Sequence, residues 1–204
     1  MILSTKNNQG LTLIEVLAVT AIFVIGLAAM LTSAVGIFKS AVFSGDYLVA
    51  TNLAREAAEI VRNKRDNNFL MDQNWQEGFD YARAVVKPEF AGGVFKGAWS
   101  IEEATYSLAD CLDVNHSCQF YYDAGTGLYG DSGMTIPSLL PNAVPTKFYR
   151  LLEFNEKSCS TELETAGLCV AGEIIGVTVT VHVNWQQGAK WNPVTLETDL
   201  YNWQ

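Results

Sequence analysis

The sequence predicts an α+β fold: one long N-terminal helix, apolar in its first half and amphipathic in its second, packed on a C-terminal antiparallel β-sheet. Three observations carry this expectation. Residues 16–38 contain no charge, and an amphipathic pattern follows with no proline before Pro88. From residue 176 to 185, valine alternates with polar residues at a period of two. A second alternating run, 194–200, returns after a turn-forming stretch. The length of 204 residues suits one domain with an appendage. Hydrophobic residues make up 49% and charged ones 17%, which excludes a disordered tail. A net charge of -9 argues against direct nucleic-acid binding, since that rests on neutralising phosphates.

The uncharged run comes first. At about 1.5 Å per residue, the 23 residues from 16 to 38 span roughly 35 Å as a helix, enough to cross a bilayer with some tilt. The polar residues in it are Thr20, Thr32 and Ser33, whose hydroxyls can bond carbonyls one turn back. Gly26 and Gly36 are tolerated in membrane helices. A buried core helix is disfavoured by the length of the run. A cleaved secretory signal is disfavoured because the run is too long and no small-x-small site closes it before Lys39. Charge bias leaves orientation open, with Lys6 on one side and Lys39 and Arg55 on the other.

Glu15 interrupts the pattern, because it sits between Leu13, Ile14, Val16 and Leu17. A carboxylate at the centre of a membrane helix costs about 2.5–3.5 kcal/mol, and less near an end. One reading is a headgroup-level Glu favoured by the helix dipole. The other requires a cation that becomes available within the membrane.

The segment Gly10-Leu-Thr-Leu-Ile-Glu15, preceded by a short polar stretch and followed by the long apolar run, resembles the processing site of type IV prepilins and type II secretion pseudopilins. The resemblance implies a pilin fold and cleavage between Gly10 and Leu11 by an aspartic membrane peptidase, the prepilin peptidase. It also implies N-methylation of Leu11, where the family more often has Phe, and an assembly role for Glu15, the fifth mature residue. Many major pilins carry a proline about 22 residues into the mature chain; here that position is Thr32. In such a filament Glu15 of one subunit can meet the Leu11 amine of its neighbour. At about 4 Å and an effective dielectric near 20, that attraction is about 4 kcal/mol before desolvation, comparable to the cost of placing the acid there.

The resemblance divides the chain into a leader peptide at 1–10, a transmembrane and filament-core segment at 11–38, an amphipathic half-helix at 39–66, and a β-rich extracytoplasmic head at 67–204. In the second half-helix, Val49, Leu53, Ala57, Ile60 and Val61 form one stripe, with Arg55, Glu56, Glu59 and Arg62 opposite. The basic cluster Arg62, Lys64 and Arg65 is expected to end the helix and complement its dipole, in preference to binding lipid. Residues 52–66 also resemble a segment recurrent in bacterial minor pilin-like proteins.

Residues 67–98 read as loops with short elements, because of Trp75, Gly78, Pro88 and the Gly92-Gly93 pair. Residues 119–123 and 127–130 flank Ala124-Gly-Thr as a hairpin. Residues 147–154 form a further strand, fed by a proline-containing loop at 137–145. On the strand 176–185, Val177, Val179, Val181, Val183 and Trp185 face the core, while Thr178, Thr180, His182 and Asn184 face water. Residues 186–193 turn the chain, and Val194, Leu196 and Leu200 return on the packed side. The terminal strand–turn–strand resembles the last hairpin of minor pilins and pseudopilins.

Four cysteines permit three pairings, and the local ones, Cys111 with Cys118 and Cys159 with Cys169, are preferred for short loops in an oxidising compartment. A zinc site using His116 is disfavoured because no C-x-x-C occurs. Calcium at 123–131 is disfavoured because the alternating Asp/Asn ligands of a calcium loop are missing. No metal or cofactor is therefore expected. No P-loop, G-x-S-x-G or H-E-x-x-H occurs, so an enzyme is not expected and ATP-driven assembly would belong to partners.

The functional expectation is a precursor of a minor pilin or pseudopilin in a type IV pilus or secretion-like filament. It would be a single-pass membrane protein in lipid before assembly, and later part of a pilus or pseudopilus at the cell envelope. Its partners would be the prepilin peptidase, other pilin subunits through the N-terminal helix, and an inner-membrane assembly platform. The alternative is an uncleaved bitopic membrane protein with an extracytoplasmic binding domain.

Overall fold

Strong helix formers and the absence of proline give a helix, α1, from Leu13 to Leu70. The structure is a computed structural model, and it describes residues 12–91, 94–112, 118–125, 127–131 and 143–202. The chain falls into two compact units, Met1–Gly45 and Asp46–Gln204. Within the first, Thr20 Oγ1 donates to the Leu17 carbonyl (3.0 Å) and Thr32 Oγ1 to the Ala28 carbonyl (2.8 Å), so the polar side chains of the apolar run are satisfied inside the helix.

The helix ends one turn later than the basic cluster suggested. The Gln73 amide bonds the Asn68 carbonyl and the Asp72 amide bonds that of Phe69, with Asp72 at φ 56°. This is a Schellman stop with Asp in the left-handed position usually given to glycine. No basic residue occupies the last turn, so the dipole role expected for Arg62, Lys64 and Arg65 is not realised. Arg62 instead pairs with Glu59, and buried Arg65 with Asp66.

The sheet is antiparallel throughout. It comprises β1 (Arg83–Ala91), β2 (Val94–Glu103), β3 (Gln119–Asp123), β4 (Leu128–Asp131), β5 (Ala143–Ser158), β6 (Ile174–Gln187) and β7 (Lys190–Tyr201). Two short helices, α2 (Leu108–Cys111) and α3 (Thr161–Thr165), lie in connections. The long strand β5 is the spine. One edge pairs with β6, and the other is shared by β3 near residues 143–149 and β1 at 152–153.

Within residues 67–98, expected as loops with short elements, the chain forms β1 and the first half of β2, strands that pair as an antiparallel hairpin. Proline is accommodated in β1 because Pro88 lies beyond the two residues that pair with β5, next to a register shift, so its missing amide costs no sheet bond on that side. The strand expected at 147–154 is longer, taking in Pro145 and running to Ser158.

The helix stripe and the sheet make one core. Ala50, Leu53, Ala54, Ala57, Ala58 and Val61 of α1 are buried with Phe148, Leu152, Phe154, all four alternating valines of β6, Trp185 and Leu200. Alanine at four of these six helix positions lets the helix backbone approach the large side chains of the sheet. Arg150, on the inward face of β5, is fully buried. Its Nη1 donates to the Leu53 carbonyl (2.9 Å) and to Glu56 (3.3 Å), and its guanidinium lies 4.5 Å from the Phe120 ring. Glu56, expected among the solvated charges, is thus tied to the sheet.

The opposite sheet face is only partly wet, which corrects the expected alternation. Thr180 and Asn184 are buried, and a second cluster of Val85, Ala104, Cys111, Cys118, Tyr149 and Leu151 covers that side, with Trp191 against Tyr149. Cys111 pairs with Cys118 inside this cluster, and Cys159 with Cys169 in the β5–β6 connection. Replacing Ala54 with Leu should overpack the helix–sheet seam and destabilise the head by about 2 kcal/mol, whereas Arg55→Leu on the exposed face should change stability by under about 0.5 kcal/mol; urea denaturation of the detergent-solubilised chain, followed by tryptophan fluorescence, measures both. Titration with dithiothreitol and alkylation mass spectrometry should show Cys159–Cys169 reduced first, because Cys111 and Cys118 have no solvent exposure.

Candidate functional site

Of the processing and assembly residues singled out by the sequence, Glu15 lies in the first turn of α1. Leu11 and Gly10 lie outside the described residues. Helical bonding begins at Thr12, whose carbonyl accepts from the amides of Glu15 (3.0 Å) and Val16 (3.2 Å). Glu15 is therefore in the first turn, where the amides not yet bonded within the helix favour an anion.

Around it the surface is apolar and uncovered. Leu13 is 79% exposed, Ile14 76% and Ile22 72%, and no residue of the most apolar stretch of α1 is buried. Between residues 13 and 45 the charged residues are Glu15 and Lys39. At about 1.5 Å per residue they stand roughly 36 Å apart along the helix, far beyond ion-pair range. Among the described residues, no cation therefore stands near Glu15 along this half of the helix. The notch at Leu31, Thr32, Val35, Gly36 and Lys39 lies on the same half of the helix and carries no acid.

The other sequence-level candidates disperse. A cleft of about 650 Å³ lies between α1 and β2, with Ile60, Lys64, Asn67, Gly97 and Trp99 among its walls. Its acids are engaged elsewhere: Glu59 with Arg62, Asp66 with Arg65, and Glu56 with Arg150. On the back of the sheet Glu153 joins Arg83 (3.2 Å) and His182 (3.3 Å). Asp123, at the head of the glycine-rich segment, accepts the Gly125 amide at 2.7 Å and is spent on the turn. No group of three potential metal-ligating side chains occurs among the described residues. His116 lies outside them.

The shifted ionisations are those of structural clasps. Lys157 and Thr178 hold the Asp199 carboxyl below its usual value, and Asp199 raises Lys157 in return. Ser107, the cap of α2, lowers Asp110 through its hydroxyl and amide, while burial raises the Tyr149 phenol. Lys157 and Asp199 join β5 to β7, and Asp110 closes the cap of α2. Sequence reasoning overlooked Arg150, although its position in strand parity with Phe148, Leu152 and Phe154 marks it as inward-facing.

Residues 5–31 match the family model described as the prokaryotic N-terminal methylation motif. No curated protein and no solved structure matches the chain. The matched region contains Gly10, Leu11 and Glu15 and extends through the uncovered apolar part of α1, and such a motif implies processing by a prepilin peptidase and assembly with other pilin subunits. An apolar helix behind that motif marks a membrane anchor. At its N-terminus, ahead of a head built as a sheet on an amphipathic helix, this chain carries the methylation signal of type IV pilins and pseudopilins.

Proposed function

We propose that the chain is the precursor of a minor pilin or pseudopilin, cleaved after Gly10, N-methylated at Leu11, and assembled into an envelope filament through its N-terminal helix. The observation that carries this reading is the conjunction within residues 5–31 of Gly10, an acid five residues later, and a helix whose apolar surface the chain leaves exposed. The same surface serves two environments. Before processing it lies in lipid, and afterwards it packs against neighbouring helices, an exchange of one apolar contact for another that is small in free energy per residue.

Glu15 supplies what uniform apolarity lacks. Cleavage creates an amine on Leu11, and methylation keeps it cationic. A neighbouring subunit's amine then neutralises an acid whose nearest cation along the described helix, Lys39, stands roughly 36 Å away. The role is structural and not catalytic; the inner-membrane platform and its ATPase would supply the work of assembly. The head would lie outside the cytoplasmic membrane, where two disulfides are chemically at home.

Two variants separate the steps. Gly10→Val should block cleavage, leaving the first ten residues attached when the membrane-extracted protein is sequenced from its N-terminus; normal cleavage in that variant would relocate the site. Unmodified Met1 on the wild-type chain would favour an uncleaved bitopic protein. Glu15→Ala should leave cleavage largely intact but lower recovery in sheared filaments about tenfold or more, the effect of losing only about 1.4 kcal/mol of assembly energy. Wild-type recovery would remove the charge-pair argument.

A further inference from the structure

The head presents its least covered apolar side chains at one end. Among the described residues from Asp46 onward, the four most exposed large apolar side chains are Leu70 (85%), Leu168 (73%), Val170 (70%) and Met71 (68%). All four lie at the end of the head remote from Asp46. Asp46 binds Lys147 early in β5, Arg62 reaches Thr198 farther along, and Phe79, just after α1, stacks on Phe154 shortly before β5 ends. The β5–β6 pairing closes at Ser158 opposite Ile174, and residues 159–173 form the connection beyond it.

That connection is built rigidly. The Ser160 hydroxyl caps α3 by accepting the Leu163 amide. The Leu168 amide bonds the Leu163 carbonyl (3.0 Å) and the Gly167 amide that of Glu164 (2.9 Å), a Schellman stop with Gly167 at φ 69°. The Glu173 carboxylate accepts the Val170 amide at 3.0 Å, the Cys159 amide bonds the Glu173 carbonyl at 2.8 Å, and the disulfide between Cys159 and Cys169 closes the base. Leu168 and Val170 therefore flank a crosslinked cysteine and point outward from a fixed frame. Holding apolar side chains in solvent on a preorganised loop removes most of the ordering cost of binding.

Charge narrows what can dock. From residue 159 to 173 there are three glutamates, Glu162, Glu164 and Glu173, and no Lys or Arg. A second copy of this end would bring like charges together, and anionic lipid would be repelled. We infer that the tip formed by the disulfide-closed loop and the end of α1 docks a cationic, apolar polypeptide segment of another protein. Its apolar residues would cover Leu168 and Val170, and its Lys or Arg side chains would meet the loop glutamates. This assignment does not depend on cleavage at Gly10.

The test uses the full chain in neutral detergent and two synthetic probes, an amphipathic Leu/Lys peptide and its Leu/Glu counterpart. The Leu/Lys peptide should bind, protect residues 159–173 from hydrogen exchange, and weaken at least threefold between 50 and 300 mM salt. Leu168→Ser with Val170→Ser should reduce its affinity about tenfold, and Glu162→Gln with Glu164→Gln at least threefold. These side chains are exposed, so unchanged thermal unfolding is expected for both variants and verifies that they fold. Equal binding of the Leu/Glu peptide, binding insensitive to both double variants, protection elsewhere on the head, or binding to phosphatidylglycerol vesicles through the loop would each overturn the proposal.

Discussion

An apolar surface that the chain does not cover governs this molecule. From Leu13 to Phe43 the large side chains of α1 stand 40% or more exposed, and burying one such side chain is worth about 1.5–3 kcal/mol. Water therefore cannot be the working environment of this half of the helix. The second half faces the same problem and solves it within the chain, by laying a stripe of alanine, leucine and valine against β5, β6 and β7. One helix thus has two apolar faces with different solutions, one external and one internal. The division of labour between anchor and head follows from that difference.

The internal solution is tightened by a charge. Arg150 takes a fully buried position between helix and sheet, where an apolar residue would pack with less desolvation cost. Its bonds to the Leu53 carbonyl and Glu56 define one axial position of α1 on the sheet, which a stripe of alanines and valines would specify only weakly. The Lys147 bond to Asp46 at one end and the Arg62 bond to Thr198 farther along mark the same alignment at the surface. Apolar burial supplies the bulk of the cohesion here, and polar contacts choose among nearly equivalent packings.

Periodicity made much of this legible. The valine alternation of β6 and the stripe of α1 each point to a buried face without reference to any neighbour. The valines, Leu53, Ala57 and Val61 are buried, and Val49 and Ile60 are half-buried against the same core. What escaped depended on partners distant in sequence. Pro88 argues locally against a strand, yet β1 tolerates it because proline falls outside the part of β1 that pairs with β5. Thr180 and Asn184 look solvated by residue type, yet both are buried, on a sheet that carries a second cluster with Tyr149, Leu151, Cys111 and Cys118. The basic cluster looked like a helix end, but the stop is made by Asp72 in a left-handed conformation that residue type alone does not announce.

The same logic of cohesion and register extends to the uncovered half of the helix. A rod of Leu, Ile, Val, Ala and Phe packs nearly as well after sliding one turn, about 5.4 Å, along an identical rod. Its dispersion contacts are many and interchangeable, so they give cohesion without alignment. A lone carboxylate near the start breaks that degeneracy. Every register but one in the proposed assembly would leave it without a cation in a poorly solvating environment, where an unpaired charge is far more costly than a lost methyl contact. In the proposed assembly, Glu15 therefore contributes little to total cohesion and much to selecting the register. An anchor with Glu15 removed would, in that assembly, keep its affinity for lipid and for other helices but lose the feature that distinguishes a stacked subunit from a displaced one.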